Sequence, residues 1–379
     1  MRQTARIIST YTADVSGVCS ALFELGGMTV MHDASGCNST YNTHDEPRWY
    51  DTDSLVFLSG LTEMEAIMGD DGKLIGDVVS AANQLHPKFI ALAGTPIPMI
   101  TGTDFAAVAA LIEGETGIPT FGFATNGMQS YLSGAGMAFA ALAERMVEPD
   151  PARRSGVAVN LLGATPLDFS VNGAVEDMAA VLAEGGAEVV SCWAMGSDLE
   201  RIARAGEATV NLVISYSGLQ AARTLRRRFG TPYVVGVPTG ERFTARLLAD
   251  LEASAADGEN RVSYTDRPQR AQSPWVIIGE SVSAGSLAAA LEATYGQSAR
   301  VLCPLQTEGA LLAPGDEAAP DEADLIPRLA GAAHVIADPL YRPICPADAA
   351  FHPWPHEAFS GRIYRDQIPN LVRSLGGNT

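Results

Sequence analysis

In Met28-Thr-Val-Met31-His32-Asp-Ala-Ser-Gly36-Cys37, four apolar or β-branched residues run unbroken into a loop of small and polar ones. A run of that length bounded by turn residues is a short strand. Continuous apolarity, in place of alternation, marks a strand covered on both faces. The pattern recurs along the chain. Leu55 to Leu58, Phe89 to Ala93 and Thr120 to Phe123 follow in the first third, then Val157 to Leu162, Glu188 to Cys192, Val210 to Ile214 and Tyr233 to Val235. The last third contributes Trp275 to Ile278, Arg300 to Cys303 and His334 to Ile336. Between them lie segments of helical periodicity, among them Ser16 to Leu25, Gly72 to Gln84, Tyr131 to Arg145, Leu219 to Arg228 and Ala284 to Tyr295. Strands alternating with helices of ten or more residues give an α/β fold of parallel sheets with helices on both faces, in which ligands collect at the carboxyl ends of strands.

Two seams divide the chain. Glu148 to Ser155 is a cluster of prolines and charges, and Ala255 to Ser273 is polar with few aliphatics. Three Rossmann-like units are expected, at 1–150, 151–265 and 266–379. A length of 379 residues at 47% hydrophobic composition supports several cores and excludes intrinsic disorder. The net charge of −19 repels phosphate backbones, so neither nucleic acid nor an anionic membrane is expected as a partner. No apolar run reaches membrane-spanning length and no secretion signal is evident, so a cytoplasmic location is expected.

Most motif chemistry is missing. Gly69-Asp-Asp-Gly72-Lys73-Leu74 lacks the spacing and the hydroxyl of a phosphate loop and reads as a helix start. No GxGxxG follows a strand, and neither GxSxG nor HExxH is present. Five cysteines without a CxxC pair give neither a disulfide framework nor a zinc ribbon. Cys192, Cys303 and Cys345 read as small buried hydrophobes. Cys19 and Cys37 stand apart. Ser16 can cap a helix whose first turn holds Cys19, where the dipole and unpaired N–H groups favour thiolate. Cys37 falls in a strand-end loop, and Gly36 lets backbone approach a bulky group. Two thiolates on adjacent loops suit a soft metal or an iron–sulfur cluster, and a two-fold dimer would double them to four. Two unrelated buried cysteines would give the same sequence. His32 and Asp33 read as structural, or as proton-relay groups.

Taken together, Gly17-Val-Cys19, His32-Asp-Ala-Ser-Gly36-Cys37, Ser59-Gly60-Leu-Thr-Glu63 through Lys73-Leu74 and Gly94-Thr95-Pro96 through Asp104 resemble the nitrogenase component-one family in order and spacing. The resemblance implies a [4Fe–4S] cluster at a subunit interface, held by Cys19 and Cys37 from each of two subunits. The mate is either an identical chain or a related one. It implies electron delivery by a separate P-loop, ATP-dependent iron–sulfur reductase and reduction of a small-molecule substrate; shorter members act on tetrapyrroles. Two departures carry consequences. The family's third cysteine falls on Thr95, which disfavours a double-cubane cluster, and the active-site cofactor's cysteine aligns near Ser215, which leaves that cofactor without an anchor. The resemblance equally admits a non-catalytic scaffold for metallocluster or tetrapyrrole assembly.

The segment Phe351-His352-Pro-Trp354-Pro-His356 through Arg362 packs two histidines, a tryptophan and an arginine into a proline-rich stretch. Histidine transfers protons, tryptophan stacks on flat rings and arginine clamps carboxylates. The family's late cofactor-contacting histidine corresponds to His352 or His356, which are therefore the expected catalytic residues, with Trp354, Arg362, Gly36 and Thr95 as cofactor contacts. An ordinary loop closing the last unit is the plain alternative.

Overall fold

The first sheet orders its strands β2-β1-β3-β4, with β1 at Met28–His32, β2 at Leu55–Leu58, β3 at Ile90–Gly94 and β4 at Thr120–Phe123. This is a computed structural model, and it describes residues 5–7, 12–34, 46–267 and 273–375. Gly36 and Cys37 lie outside the described residues. Around the first sheet run α1 (Asp14–Leu22), α2 (Glu63–Met68), α3 (Gly72–Leu85), α4 (Pro96–Thr101), α5 (Phe105–Thr116) and α6 (Tyr131–Arg145). The β1 register pairs Met28 with both Leu55 and Ile90, so β1 is interior, and all five of its residues are buried. Continuous apolarity there has the expected cause: both faces are covered.

The second sheet runs β6-β5-β7-β8-β9, from β5 (Ala158–Leu162), β6 (Glu188–Trp193), β7 (Val210–Val213), β8 (Tyr233–Val235) and β9 (Arg261–Val262). Its helices are α7 (Pro166–Phe169), α8 (Ala174–Glu184), α9 (Leu199–Ala203), α10 (Leu219–Phe229) and α11 (Gly240–Asp257). The third sheet runs β12-β11-β10-β13-β14, with β10 at Trp275–Ile278, β11 at Ala299–Cys303, β12 at Glu317–Ala318, β13 at His334–Ala337 and β14 at Ala350–Pro353. It carries α12 (Ser281–Tyr295), α13 (Glu322–Leu329) and α14 (Glu357–Ser360). Every pairing in the three sheets is parallel. The expected α/β class of three parallel-sheet units holds.

Three details differ from expectation. Helix α1 begins at Asp14, not at Ser16, so Cys19 sits in its second turn and not its first. The two-residue strands β9 and β12 are too short to leave a sequence signal. Residues 350–353, expected as loop, form edge strand β14, with Pro353 at its last position where its missing N–H breaks no ladder.

α1 and α6 cross at backbone contact. A Cβ on Gly17 would lie 2.1 Å from the Tyr131 carbonyl oxygen, and one on Gly134 would lie 1.8 Å from the Asp14 carbonyl oxygen. Their N-termini are stitched by Asp14 N donating to Gln129 O (2.9 Å) and Tyr131 N to Thr12 O (3.1 Å). α6 also packs on α10 and so joins the first unit to the second. One apolar core runs without interruption from Val15 and Cys19 through Phe139 and Trp193 to Tyr264. No described helix is long and apolar enough to cross a membrane.

Candidate functional site

The carboxyl ends of β1 and β3 are tied together by side chains. Thr95 follows β3 and caps α4, and its fully buried hydroxyl donates to His32 O (2.9 Å) and Asp33 Oδ1 (3.1 Å). Ser59, after β2, lies 2.8 Å from His32 Nδ1 and accepts from Asp33 N (3.1 Å). Burial lowers the His32 pKa, so the ring is neutral near pH 7. The Asp14 carboxylate accepts from Asn126 N (3.0 Å) and Gly127 N (2.7 Å) and locks the start of α1 to the loop after β4. Burial raises its pKa against those hydrogen bonds.

Cys19 is fully buried in α1, which packs over β1 and β3, and belongs to the same apolar core as Met31 and Ala93. The chain after residue 45 returns to α1 through Arg48. This buried guanidinium grips Glu46 (Nε–Oε1 2.7 Å, Nη2–Oε2 3.0 Å), Glu24 (2.7 Å) and the Ser20 carbonyl next to Cys19 (2.8 Å). Against the cost of burial, Glu46 and Glu24 hold Arg48 charged. The described residues on either side of 35–45 are therefore fixed, His32 and Asp33 before and Glu46 and Arg48 after. Arg48 is absent from the residues that the sequence singles out, although a lone arginine between proline and tryptophan just beyond that loop is a usable signal. Among the described residues, no group of three or more metal-ligating side chains converges.

The late segment does not converge as expected. His352 lies in β14 and stacks with His334 on the Trp275 indole. Trp275–His334 centroids are 4.0 Å apart, Trp275–His352 5.0 Å, and His334 Nδ1 lies 3.1 Å from His352 Nε2. Arg362 is exposed. Trp354 and His356, by contrast, line a cleft between the second and third units together with Asp168. Trp354 lies so close to Gly279 that a Cβ there would sit 2.9 Å from its ring.

His356 is buried, its backbone N–H donates to Asp338 (2.9 Å) and its Nδ1 accepts from Ala358 N (3.2 Å). Its Nε2 lies 3.6 Å from Asp168 Oδ1, which accepts the Tyr131 hydroxyl at 2.5 Å. Burial and the Asp168 charge hold the Tyr131 hydroxyl protonated. Glu280, fully buried at the N-terminus of α12, accepts from Val282 N, Ser283 N and Tyr216 N. Burial and then the Asp168 charge push its pKa up to about 7. Ser215 is fully buried, its Oγ accepting from Ser217 Oγ (3.0 Å) and Ser217 N (3.2 Å). Each of these acidic groups follows a strand end: Asp168 after β5, Glu280 after β10, Asp338 after β13. For Asp168 alone the sequence carries a cue, since Ala164-Thr165-Pro166 repeats the strand-Thr-Pro pattern of Gly94-Thr95-Pro96. Of the remaining cysteines, burial pushes Cys192 and Cys303 to about 12 and Cys345 to about 11, as expected of packing residues.

Comparison with known proteins agrees with this architecture. A light-independent protochlorophyllide reductase chain of Rubrivivax gelatinosus is 37% identical over 106 residues, 27% of this chain and 20% of that protein. The nitrogenase iron-molybdenum cofactor biosynthesis protein NifE of Klebsiella pneumoniae is 26% identical over 220 residues, 55% of this chain and 47% of that protein. The chain thus matches less than half the length of these relatives. A solved structure titled nitrogenase Cp1 at pH 5 superposes with a TM-score of 0.59 at 18% identity, covering 83% of this chain and 68% of that one, and shares the fold. The family model for nitrogenase component 1 type oxidoreductases matches residues 16–293, well over half of the 379, and the chain belongs to that family.

Proposed function

We propose that this protein is the substrate-reducing component of a two-component, nitrogenase-like reductase. Cys19 and Cys37 of two subunits would hold a shared [4Fe–4S] cluster, which supplies one-electron transfer when bound. The observation that carries the reading is that the described residues on either side of 35–45 are held in place, His32 and Asp33 by Thr95 and Ser59 and the return to α1 by Arg48, in a chain of this family. The donor chemistry fits a site with two thiols per chain. Cys19 lies buried in α1, and the Thr95 hydroxyl, engaged by two acceptors, stands where the resemblance expects a third thiol. Met64, Ile67, Met68 and Ile100, exposed on the adjacent helices α2 and α4, offer the mate subunit an apolar surface. Electrons would come from a separate P-loop, ATP-dependent iron–sulfur protein, and the substrate would be a small molecule, with the cytoplasm as the site of action. His356, fixed by Ala358 and facing the Asp168 carboxylate at 3.6 Å, would orient substrate, and Glu280, whose pKa burial raises to about 7, would hold a proton.

The test is iron and sulfide analysis of anaerobically purified protein, with about four irons per dimer expected. Cys19→Ala and Cys37→Ala should each abolish them, and metal content that survives both substitutions would overturn the assignment. A scaffold role is the second reading, favoured by the match to the cofactor-biosynthesis protein NifE. ATP-dependent substrate consumption with the cognate reductase supports catalysis, and stoichiometric binding without turnover supports the scaffold.

A further inference from the structure

We propose that the outer edge of β2 takes up an extended, basic segment of another protein as an added strand. β2 ends the first sheet, and its one strand neighbour is β1. Ser59 N donates to Met31 O (3.0 Å) and Leu61 N to Asp33 O (2.8 Å), so the odd-numbered main-chain groups of this stretch turn toward β1. Successive residues of a parallel ladder bond to opposite sides. The N–H and C=O groups of Val56 and Leu58 therefore turn outward, where no described strand receives them. Gly60 continues that outward register, with open space where a Cβ would stand. Such a row of main-chain groups is a template for a further strand.

The other sheet edges are guarded. On β4, Thr120 N donates to Glu113 Oε2 (3.0 Å) and Thr120 O accepts from Arg145 Nη1 (2.9 Å), so side chains already occupy that edge. The β5–β6 ladder is interrupted by a register shift, β14 ends in Pro353, and β9 and β12 have two residues each. β2 has none of these devices. Its residues, Leu55-Val-Phe-Leu58, include no charge and no proline, and Phe57 is 40% exposed. Charge identifies what fits beside it. Asp51 and Asp53 precede the strand and Glu63 follows it, all three exposed. From Arg48 onward the next basic residue is Lys73, which is taken by Asp77 at 3.0 Å. A second copy would bring the same acids against these in antiparallel pairing, whereas a segment flanked by lysine or arginine complements them.

This reading does not rest on the cluster assignment. Fluorescence anisotropy on the full chain compares three labelled peptides: Lys-Val-Thr-Val-Thr-Val-Lys, the same sequence with glutamate at both ends, and Lys-Val-Pro-Val-Pro-Val-Lys. The first is expected to bind, and the acidic and proline peptides should each be weaker by about tenfold or more. Val56→Pro removes one outward N–H and leaves the β1 ladder whole. With native circular dichroism, it should weaken the first peptide about tenfold. Asp51→Lys combined with Asp53→Lys, a change confined to exposed side chains, should reverse the preference toward the acidic peptide. That variant keeps the test decisive if Val56→Pro does not fold. No binding, equal binding of all three peptides, full binding to folded Val56→Pro or an unchanged preference in the charge-reversed chain would each overturn the proposal. So would a concentration-dependent dimer, seen by sedimentation, that Val56→Pro dissolves, because a second copy would then own the edge.

Discussion

Arg48 illustrates how one side chain is held by its surroundings and holds them in turn. Its guanidinium spans Glu46, Glu24 and the Ser20 carbonyl while buried, and removing it takes the buried cation from between two carboxylates. Arg48→Met is expected to destabilise the fold by about 3–5 kcal/mol, the range for breaking a buried ion pair, read as a lower urea midpoint at unchanged slope. For Glu280 the pH dependence has a definite sign. Its folded pKa, about 7, lies above the ordinary glutamate value of 4.5, so the folded state holds its proton more tightly than the unfolded chain does. Its contribution to stability is full below about pH 4.5 and is lost as pH rises through about 7. Glu280→Gln should flatten that part of the pH profile. The comparison is urea midpoints at pH 5 and pH 7.5 for both proteins, and identical differences would refute the proton assignment.

At the scale of elements, the α1–α6 crossing depends on two glycines with backbone where a side chain would stand. Gly134→Ala gains up to about 1 kcal/mol of helix propensity. It also forces a methyl group against the Asp14 carbonyl, where overpacking costs about 1–3 kcal/mol or more. A net loss of thermal stability is expected by calorimetry, and an unchanged melting temperature would mean that the helices separate freely. Such elements also show what the sequence discloses. Strands β1, β5, β7 and β10 are legible because burial leaves mostly apolar runs, broken only by Thr29 and His32 in β1, Asn160 in β5 and Asn211 in β7. β14 is not, because an edge strand of Ala-Phe-His-Pro owes its pairing to β13 and not to its own composition. His352 and His356 resemble one site in sequence for the same reason. Four residues apart, they are separated by the end of β14, one lying flat on Trp275 and the other turned into the cleft. The start of α1 reads two residues late because Ser16 resembles a cap, whereas Ala13, with no side-chain cap, holds that position and Asp14 is bonded across to the loop after β4. The acidic cluster is illegible in one dimension because Asp168, Glu280 and Asp338 come from three separate strand ends that only tertiary structure gathers.

Over the whole molecule, the carboxyl ends of the first sheet are tied together at His32, Ser59 and Thr95, and loops of the second and third units meet at His356. Continuous packing from the first sheet into the second, through α6 and α10, makes that pair a firm base. The third unit is fastened to it partly by exposed ion pairs of Arg373, which are individually weak. The stack of two imidazoles on Trp275 lies within that third unit, and it gives the protein an optical property. Imidazolium is a better electron acceptor than imidazole and quenches the emission of an indole it touches. Burial and the neighbouring His334 lower the His352 pKa, so its share of the dimming should set in on the acid side of the ordinary histidine range. A fluorescence titration of the native chain against Trp275→Phe would isolate that signal, a reporter for the third unit that needs no dye.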